Sequence, residues 1–216
     1  NLSLRGTATF DAVGRIAGLL FAPDTVVKND PAAEAEAATY MTEREVTIAH
    51  GKISLPGTLC LPKAKEAGKR CPLVVMVHGS GPNDRDETIG PNRPFREMAH
   101  ALARRGIATL RYDKRTYVYG TKVNEVGGAD NYDTEVVHDA VEALKLGSNL
   151  AEINPDQVFV LGHSLGAGLV PRIISQSQVP VAGGVMWCAS ARALDVVLHE
   201  QIHYIAPLQG LDAAAA

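Results

Sequence analysis

The stretch Gly162-His163-Ser164-Leu165-Gly166 places a serine between two glycines, directly after the apolar run Val158-Phe159-Val160-Leu161. The apolar run is typical of a buried strand, and the small residues after the serine allow a closely packed helix. A sharp strand-to-helix turn pushes the serine hydroxyl outward, and the flanking glycines relieve the crowding that such a turn creates. The pattern therefore predicts a nucleophile elbow at Ser164. The alternative is a serine that only caps a helix.

A glycine-rich loop follows a second predicted buried strand, earlier in the chain. Residues 73–77 are continuously apolar, and His78-Gly79-Ser80-Gly81-Pro82 comes directly after them. Acyl transfer needs two backbone N–H groups aimed at the developing oxyanion, one from the residue after the nucleophile and one from such a loop. We expect these donors to be Leu165 and Ser80, with Gly81 as the next candidate. A turn that only links strand to helix is the alternative.

Strands and helices alternate along the chain, which predicts an α/β protein with a doubly wound, mostly parallel sheet. An antiparallel pair is expected at 45–49 and 52–61, and the glycine-rich residues 116–131 are expected to form a loop. The remaining predicted strands are 72–78, 107–112, 157–161 and 181–188, and the predicted helices are 94–105, one that opens at Asp133, one after Ser164, and 192–205.

Residues 1–40 are predicted to lie outside this sheet. Leu4–Phe10 and Arg15–Phe21 indicate a hairpin, and the Pro-, Asp- and Ala-rich residues 23–38 indicate a linker. Because a lone hairpin is marginally stable in water, we interpret it as the remnant of a preceding small domain, and packing on the main domain is the alternative. Residues 41–216 then form the N-terminal and central part of the main domain. The starting Asn and the alanines at 213–216 suggest a chain that is incomplete at both ends.

Composition limits the classes of function. The 216 residues are 46% hydrophobic with a net charge of −3, which gives no basic footprint for nucleic acid. No stretch reaches the roughly 18 apolar residues that span a membrane. We therefore expect the partner to be a small soluble substrate. The compartment stays open, cytoplasmic or exported. Cys60, Cys71 and Cys188 are too few and scattered for a disulfide framework or a metal site. Free thiols are expected, and a Cys60–Cys71 bridge is the alternative for an exported protein.

Three motifs, in order, resemble the α/β-hydrolase family in its branch of bacterial esterases and acyl-peptidase-like enzymes. They are His78-Gly79-Ser80-Gly81-Pro82-Asn83-Asp84-Arg85-Asp86, Arg111-Tyr112-Asp113-Lys114-Arg115, and the pentapeptide around Ser164. The resemblance covers roughly residues 43–205. It implies a serine hydrolase that cleaves carboxylic esters through an acyl-enzyme intermediate, without a cofactor, and it leaves peptidase activity open.

The resemblance also implies roles for polar residues near these motifs. Asp113 and Arg115 are expected to brace loops rather than to act in catalysis. Asp84, Arg85 and Asp86 are expected to order the oxyanion loop or to border the acyl pocket.

Three further residues are candidates for substrate binding. They are His78, Gly79 and His163. His163 is not expected to be the base, because adjacent side chains on a sharp turn diverge.

A serine hydroxyl needs a histidine to remove its proton and a carboxylate to orient that histidine. In this fold the acid and then the base follow the serine along the chain. Each further strand with its crossover takes about 30 residues or more, and the sequence ends at residue 216. We therefore expect the triad acid and base on a downstream segment or on a second chain.

Two alternatives stay open. His199-Glu200-Gln201-Ile202-His203 matches H-E-x-x-H, the spacing of a zinc-dependent hydrolase. The following residues lack a third ligand and Pro207 is expected to end the helix, so no metal is expected. The second alternative is a binding module of the same fold without catalytic activity, which needs no triad.

Overall fold

A computed structural model describes residues 4–10, 16–23, 30–63 and 69–208. In chain order its elements are β1 (Leu4–Phe10), β2 (Ile16–Pro23), α1 (Pro31–Tyr40), β3 (Met41–His50), β4 (Ile53–Pro62), β5 (Cys71–Val77), α2 (Pro94–Ala103), β6 (Ala108–Tyr112), α3 (Arg115–Tyr119), a 3₁₀ helix (Gly120–Glu125), a π-helical turn (Asp133–Val137), α4 (His138–Ser148), β7 (Ile153–His163), α5 (Leu165–Gln176), β8 (Gly183–Trp187) and α6 (Leu194–Leu208).

The sheet that organises the chain has six strands in the order β3-β4-β6-β5-β7-β8. Parallel pairing joins β5 to β6 and β7, and β7 to β8, whereas β4 pairs antiparallel with both β3 and β6. The predicted mostly parallel sheet is confirmed. β1 and β2 form a separate antiparallel pair at the predicted hairpin.

Helices cover both faces of this sheet. On β5, Val75 and Val77 belong to a core with α4 and α5, whereas Met76 packs with α1 and α2 on the opposite face. Successive side chains of a strand point to opposite faces, so an unbroken apolar run in β5 is what a doubly covered strand requires.

Helix α1 lies within the segment that we interpreted as a linker, and the linker prediction is wrong for residues 31–38. Asp30 caps the helix by accepting a hydrogen bond from the Ala32 N–H (2.9 Å), and Pro31 stands at the first helical position. Ala37 is buried against the sheet. The division of the chain into two domains stays a prediction, and the interpretation of residues 24–29 and 213–216 lies outside the described residues.

Residues 116–131 hold more regular structure than the predicted loop. Helix α3 and the 3₁₀ helix together occupy residues 115–125. Arg115 anchors this segment, because its buried guanidinium donates to the Gly128 carbonyl oxygen (2.9 Å) and to Asp139.

All three cysteines are free thiols, as expected. Cys60 is fully buried, and burial raises the pKa of its thiol to about 11. Within the described ranges, no helix is long and apolar enough to cross a bilayer.

Candidate active site

Ser164 stands at a sharp turn between β7 and α5. Its φ of 52° is rare for a residue with a side chain, and the side chain is exposed. The flanking glycines are required sterically: a Cβ on Gly162 would lie 2.3 Å from the Gly166 carbonyl oxygen, and one on Gly166 would lie 2.5 Å from that of His78. The strand, turn and helix that the serine motif predicts are all present.

The loop after β5 lies directly beside this turn. A Cβ placed on Gly79 would be 3.2 Å from the Ser164 Cβ, while Ser80 and Gly81 are exposed. Leu165 is the first residue of α5, where a backbone N–H has no acceptor within the helix. The structure therefore brings together the predicted nucleophile and the candidate oxyanion donors.

Glu87 joins the loop to the serine turn and was missed by the sequence analysis. Its side chain is 2% exposed, and Oε1 accepts a hydrogen bond from the Gly79 N–H (2.7 Å) and contacts His163 Nδ1 (2.9 Å). Its φ is 52°. In the sequence, Glu87 directly follows the Asp84-Arg85-Asp86 stretch that was predicted to order the loop. This position next to the loop residues is the sequence feature that indicates its role.

Lys114 was also missed, although it lies inside a motif that carries the family resemblance. The side chain is almost fully buried, and Nζ donates to the Gly79 carbonyl oxygen (3.0 Å) and pairs with Glu135 Oε1 at 2.5 Å. The π-helical turn supplies Glu135. Asn83 Nδ2 reaches the carbonyl oxygens of residues 79, 80 and 81 at 3.0 to 3.3 Å.

Charged residues hold the rest of the loop in place. Asp113 accepts from the Arg85 backbone N–H (2.8 Å) and pairs with its guanidinium, and this pairing raises the Arg85 pKa. Asp84 accepts from the Thr88 N–H (2.9 Å), and the buried Arg111 pairs with Asp86. The predicted loop-bracing role of Asp113 and the loop-ordering role of residues 84–86 agree with these contacts.

The two histidines proposed as substrate contacts have different surroundings. His78 is 1% exposed, and its ring packs on Phe95 and Tyr112 beneath the loop. Burial, and then the charge of Lys114, lower its pKa to about 4. His163 is partly exposed and its ring lies 4.8 Å from that of Trp187. The imidazole of His78 therefore supports the loop from below, whereas His163 borders the site.

Unusual backbone conformations gather around His163. Glu87, Ser164 and Cys188 are the non-glycine residues with positive φ in the described part of the chain. Glu87 contacts His163, Ser164 follows it, and Cys188 follows the Trp187 that packs on it. Strained conformations cluster at functional sites, so this cluster marks the same region as the serine motif.

His199 and His203 come together on α6, with their Nε2 atoms 3.1 Å apart. The expected helix end at Pro207 is wrong, since α6 continues to Leu208. Both are exposed, and the intervening Glu200 pairs with Arg192. In the described ranges, no group of three or more potential ligands surrounds a common point. The pair by itself supplies two of the ligands that a catalytic zinc site takes from protein.

Comparisons with known proteins agree with this geometry. A family model described as "Alpha/beta hydrolase family" matches residues 74–215. The chain is 38% identical over 200 residues to Esterase EstD of Thermotoga maritima, a match that covers 93% of this chain and 45% of that protein. The chain thus spans about half the length of this curated relative.

Solved structures show the same fold. An acylaminoacyl peptidase from Pyrococcus horikoshii matches with a TM-score of 0.52 and 17% identity over 85% of this chain and 28% of its own. A bacterial heroin esterase matches with a TM-score of 0.50 and 20% identity over 71% of this chain and 48% of its own. The predicted fold class and the predicted resemblance are confirmed.

Proposed function

This chain belongs to the alpha/beta hydrolase family, and from that premise we propose that it forms the nucleophile-bearing part of a serine hydrolase that cleaves carboxylic esters. The single observation that carries the proposal is the exposed Ser164 at a positive-φ turn with the Gly79–Gly81 loop against it. The similarity to an esterase over almost the whole chain supports ester substrates.

The reaction would proceed through an acyl-enzyme. Ser164 Oγ attacks the ester carbonyl carbon, and the carbonyl oxygen becomes an oxyanion that accepts hydrogen bonds from the Leu165 and Ser80 N–H groups. Collapse of this intermediate expels the alcohol, which takes the proton that the base removed from Ser164. Water then attacks the acyl group by the same route and releases the acid. None of these steps needs a cofactor.

The base and its carboxylate are proposed to come from a downstream segment or from a second chain. Among the described residues, Ser164 Oγ makes no hydrogen bond to an imidazole, and His163 is directed at Glu87. Strand β8 is at the edge of the described sheet, with Val185 and Met186 about half exposed. An edge strand can pair with a further strand, and its exposed side chains, which point to the two faces of the sheet, leave room for covering elements.

Covalent labelling of the intact protein with a fluorophosphonate tests the nucleophile. Labelling should occur, map to Ser164 and disappear in Ser164→Ala. Ser175→Ala is the matched control, since Ser175 is an exposed serine of α5 whose Oγ donates to the Arg172 carbonyl oxygen. A binding module would not react. A zinc-dependent hydrolase would hydrolyse esters without labelling and would lose activity to a chelator.

A further inference from the structure

Both polar groups of the Gly79 backbone are held by buried ionisable side chains. The N–H donates to Glu87 Oε1 at 2.7 Å, and the carbonyl oxygen accepts from Lys114 Nζ at 3.0 Å. Glu87 and Lys114 are each 2% exposed. Burying a charge is costly even when it is paired, so two such residues on one peptide unit are poorly explained by stability alone.

Because the peptide bond is planar, the orientation of the Gly79 carbonyl also fixes the direction of the Ser80 N–H. The carbonyl of Gly79 and the N–H of Ser80 belong to one trans peptide unit and point in opposite directions. Because Lys114 holds the carbonyl toward the buried interior, the Ser80 N–H must point away from Lys114. Ser80 and Ser164 are both exposed, and Gly79 packs against Ser164. The Ser80 N–H therefore points away from the buried interior, on the exposed part of the loop that packs against Ser164.

Each of the two side chains has a second contact that fixes its position. Glu135 lies 2.5 Å from the Lys114 ammonium, and His163 lies 2.9 Å from the Glu87 carboxylate. Since His163 precedes Ser164, the Glu87 contact also ties the loop to the nucleophile turn. Rotation of the Gly79–Ser80 peptide would break the hydrogen bonds that the Gly79 carbonyl oxygen accepts from Lys114 Nζ and from Asn83 Nδ2 (3.2 Å), and it would leave the buried ammonium without that oxygen.

We propose that Lys114 and Glu87 are positioning residues that hold the Gly79 backbone so that the Ser80 N–H is preorganised as an oxyanion donor. The proposal rests on the proposed serine mechanism, to which it adds two residues that position an oxyanion donor. Neither side chain touches the substrate. Lys114 acts by preventing rotation of the Gly79–Ser80 peptide, and Glu87 acts by fixing the distance between the loop and the Ser164 turn.

Steady-state hydrolysis of an activated ester by the intact protein tests the role of Lys114. In Lys114→Met, kcat should fall by about 10²-fold, the usual loss for one oxyanion donor, while KM stays within about threefold. The affinity for a trifluoromethyl ketone, whose tetrahedral adduct uses the oxyanion site, should fall in parallel. Arg115→Met is the matched control, because it removes an equally buried cation whose partners lie outside the loop. The control should lose thermal stability and keep kcat within about threefold.

A pair of Glu87 variants tests the proposal independently, should Lys114→Met not fold. Glu87→Gln keeps an oxygen that accepts from the Gly79 N–H, and its kcat should stay within about fivefold of the parent. Glu87→Leu has no acceptor, and its kcat should fall by at least about tenfold. A folded Lys114→Met with unchanged kcat, or equal kcat values in the two Glu87 variants, overturns the inference. Hydrolysis that survives Ser164→Ala overturns instead the serine mechanism on which it rests.

Discussion

Gly166 lies so close to the carbonyl oxygen of His78 that a Cβ on it would be 2.5 Å away, and the Val77 carbonyl oxygen would be 2.6 Å away. Both are backbone atoms of the segment in which β5 ends and the loop begins. The second glycine of the serine motif therefore lets α5 pack under this loop. It couples the position of Ser164 to the position of the candidate oxyanion donors.

Gly166→Ala should destabilise the protein, because neither backbone oxygen can move without displacing β5. Overpacking of this kind costs about 1–3 kcal/mol or more, and urea denaturation measures it. Gly168→Ala is the control in the same helix, since a Cβ there meets nothing within 4 Å. That variant should be as stable as the parent or up to about 1 kcal/mol more stable. Equal stability of the two variants would contradict the close-packing argument.

Much of the fold could be predicted because its determinants are local. The apolar run of β5 indicates a doubly covered strand by itself, and Phe95, Ala99 and Ala103 mark the buried face of α2 at helical spacing. Helix α1 was missed because its alanine-rich sequence has no amphipathic period and buries only Ala37. The Asp30 cap, contact with the sheet and the ion pairs of Glu34 and Glu36 with arginines in and directly after α2 stabilise it, and the sequence pattern does not display these contacts.

The candidate site was predictable in part for the same reason. Ser164, Leu165 and Ser80 follow from short motifs whose geometry is set by neighbouring residues. Lys114 and Glu87 could not be recognised in this way, since charged residues are expected on the surface unless a partner is known. The Gly79 carbonyl that Lys114 contacts is 35 positions away in the sequence. Such a pairing becomes visible only when the ends of β5 and β6 are placed side by side.

Substitution of Asp139 should strongly lower the free energy of unfolding. Its 1% exposed carboxylate accepts from Arg115 Nε (2.7 Å) and pairs with His50 Nε2 (2.7 Å). Asp139→Ala leaves the buried Arg115 without its main counterion and should cost about 3–5 kcal/mol in urea denaturation. Asp133→Ala is the control, because it breaks an exposed pair with Arg172 and should barely move the midpoint. Similar midpoints for the two variants would argue against a buried ionic anchor.

His78 should make the stability of the fold depend on pH. Its pKa is lowered from 6.5 to about 4 by burial and by Lys114. Between these values the unfolded chain binds a proton that the folded chain does not, so the free energy of unfolding falls as the pH falls from about 6.5 toward 4. The contribution reaches about 3 kcal/mol at the acid end.

In His78→Asn, the free energy of unfolding should therefore fall less as the pH falls. Urea denaturation at several pH values between 7 and 4.5 measures this dependence. His138→Asn is the control, because His138 is exposed at the start of α4. This control should reproduce the parent curve. If the parent and His78→Asn have parallel curves over this range, the buried imidazole does not titrate as described.

The role of Ser80 is assigned to its backbone, so its side chain should matter little. Ser80→Ala keeps the N–H and should change kcat of the intact protein by no more than about threefold. Ser80→Pro removes the N–H and should lower kcat by about 10²- to 10³-fold. Circular dichroism and the thermal midpoint establish that the proline variant is folded. Comparable losses of kcat in the two variants would refute the assignment of Ser80 as an oxyanion donor.

Residues 1–216 purified alone should turn over an activated ester slowly or not at all, because no imidazole among the described residues is hydrogen-bonded to Ser164. The oxyanion donors would still be in place, and an oxyanion hole without a base retains a small part of the rate enhancement. A comparison of kcat/KM between this chain and a longer form of the protein measures what the proposed downstream or second-chain base contributes. Full activity of residues 1–216 would show that the base lies within the chain itself, and a histidine scan would then identify it.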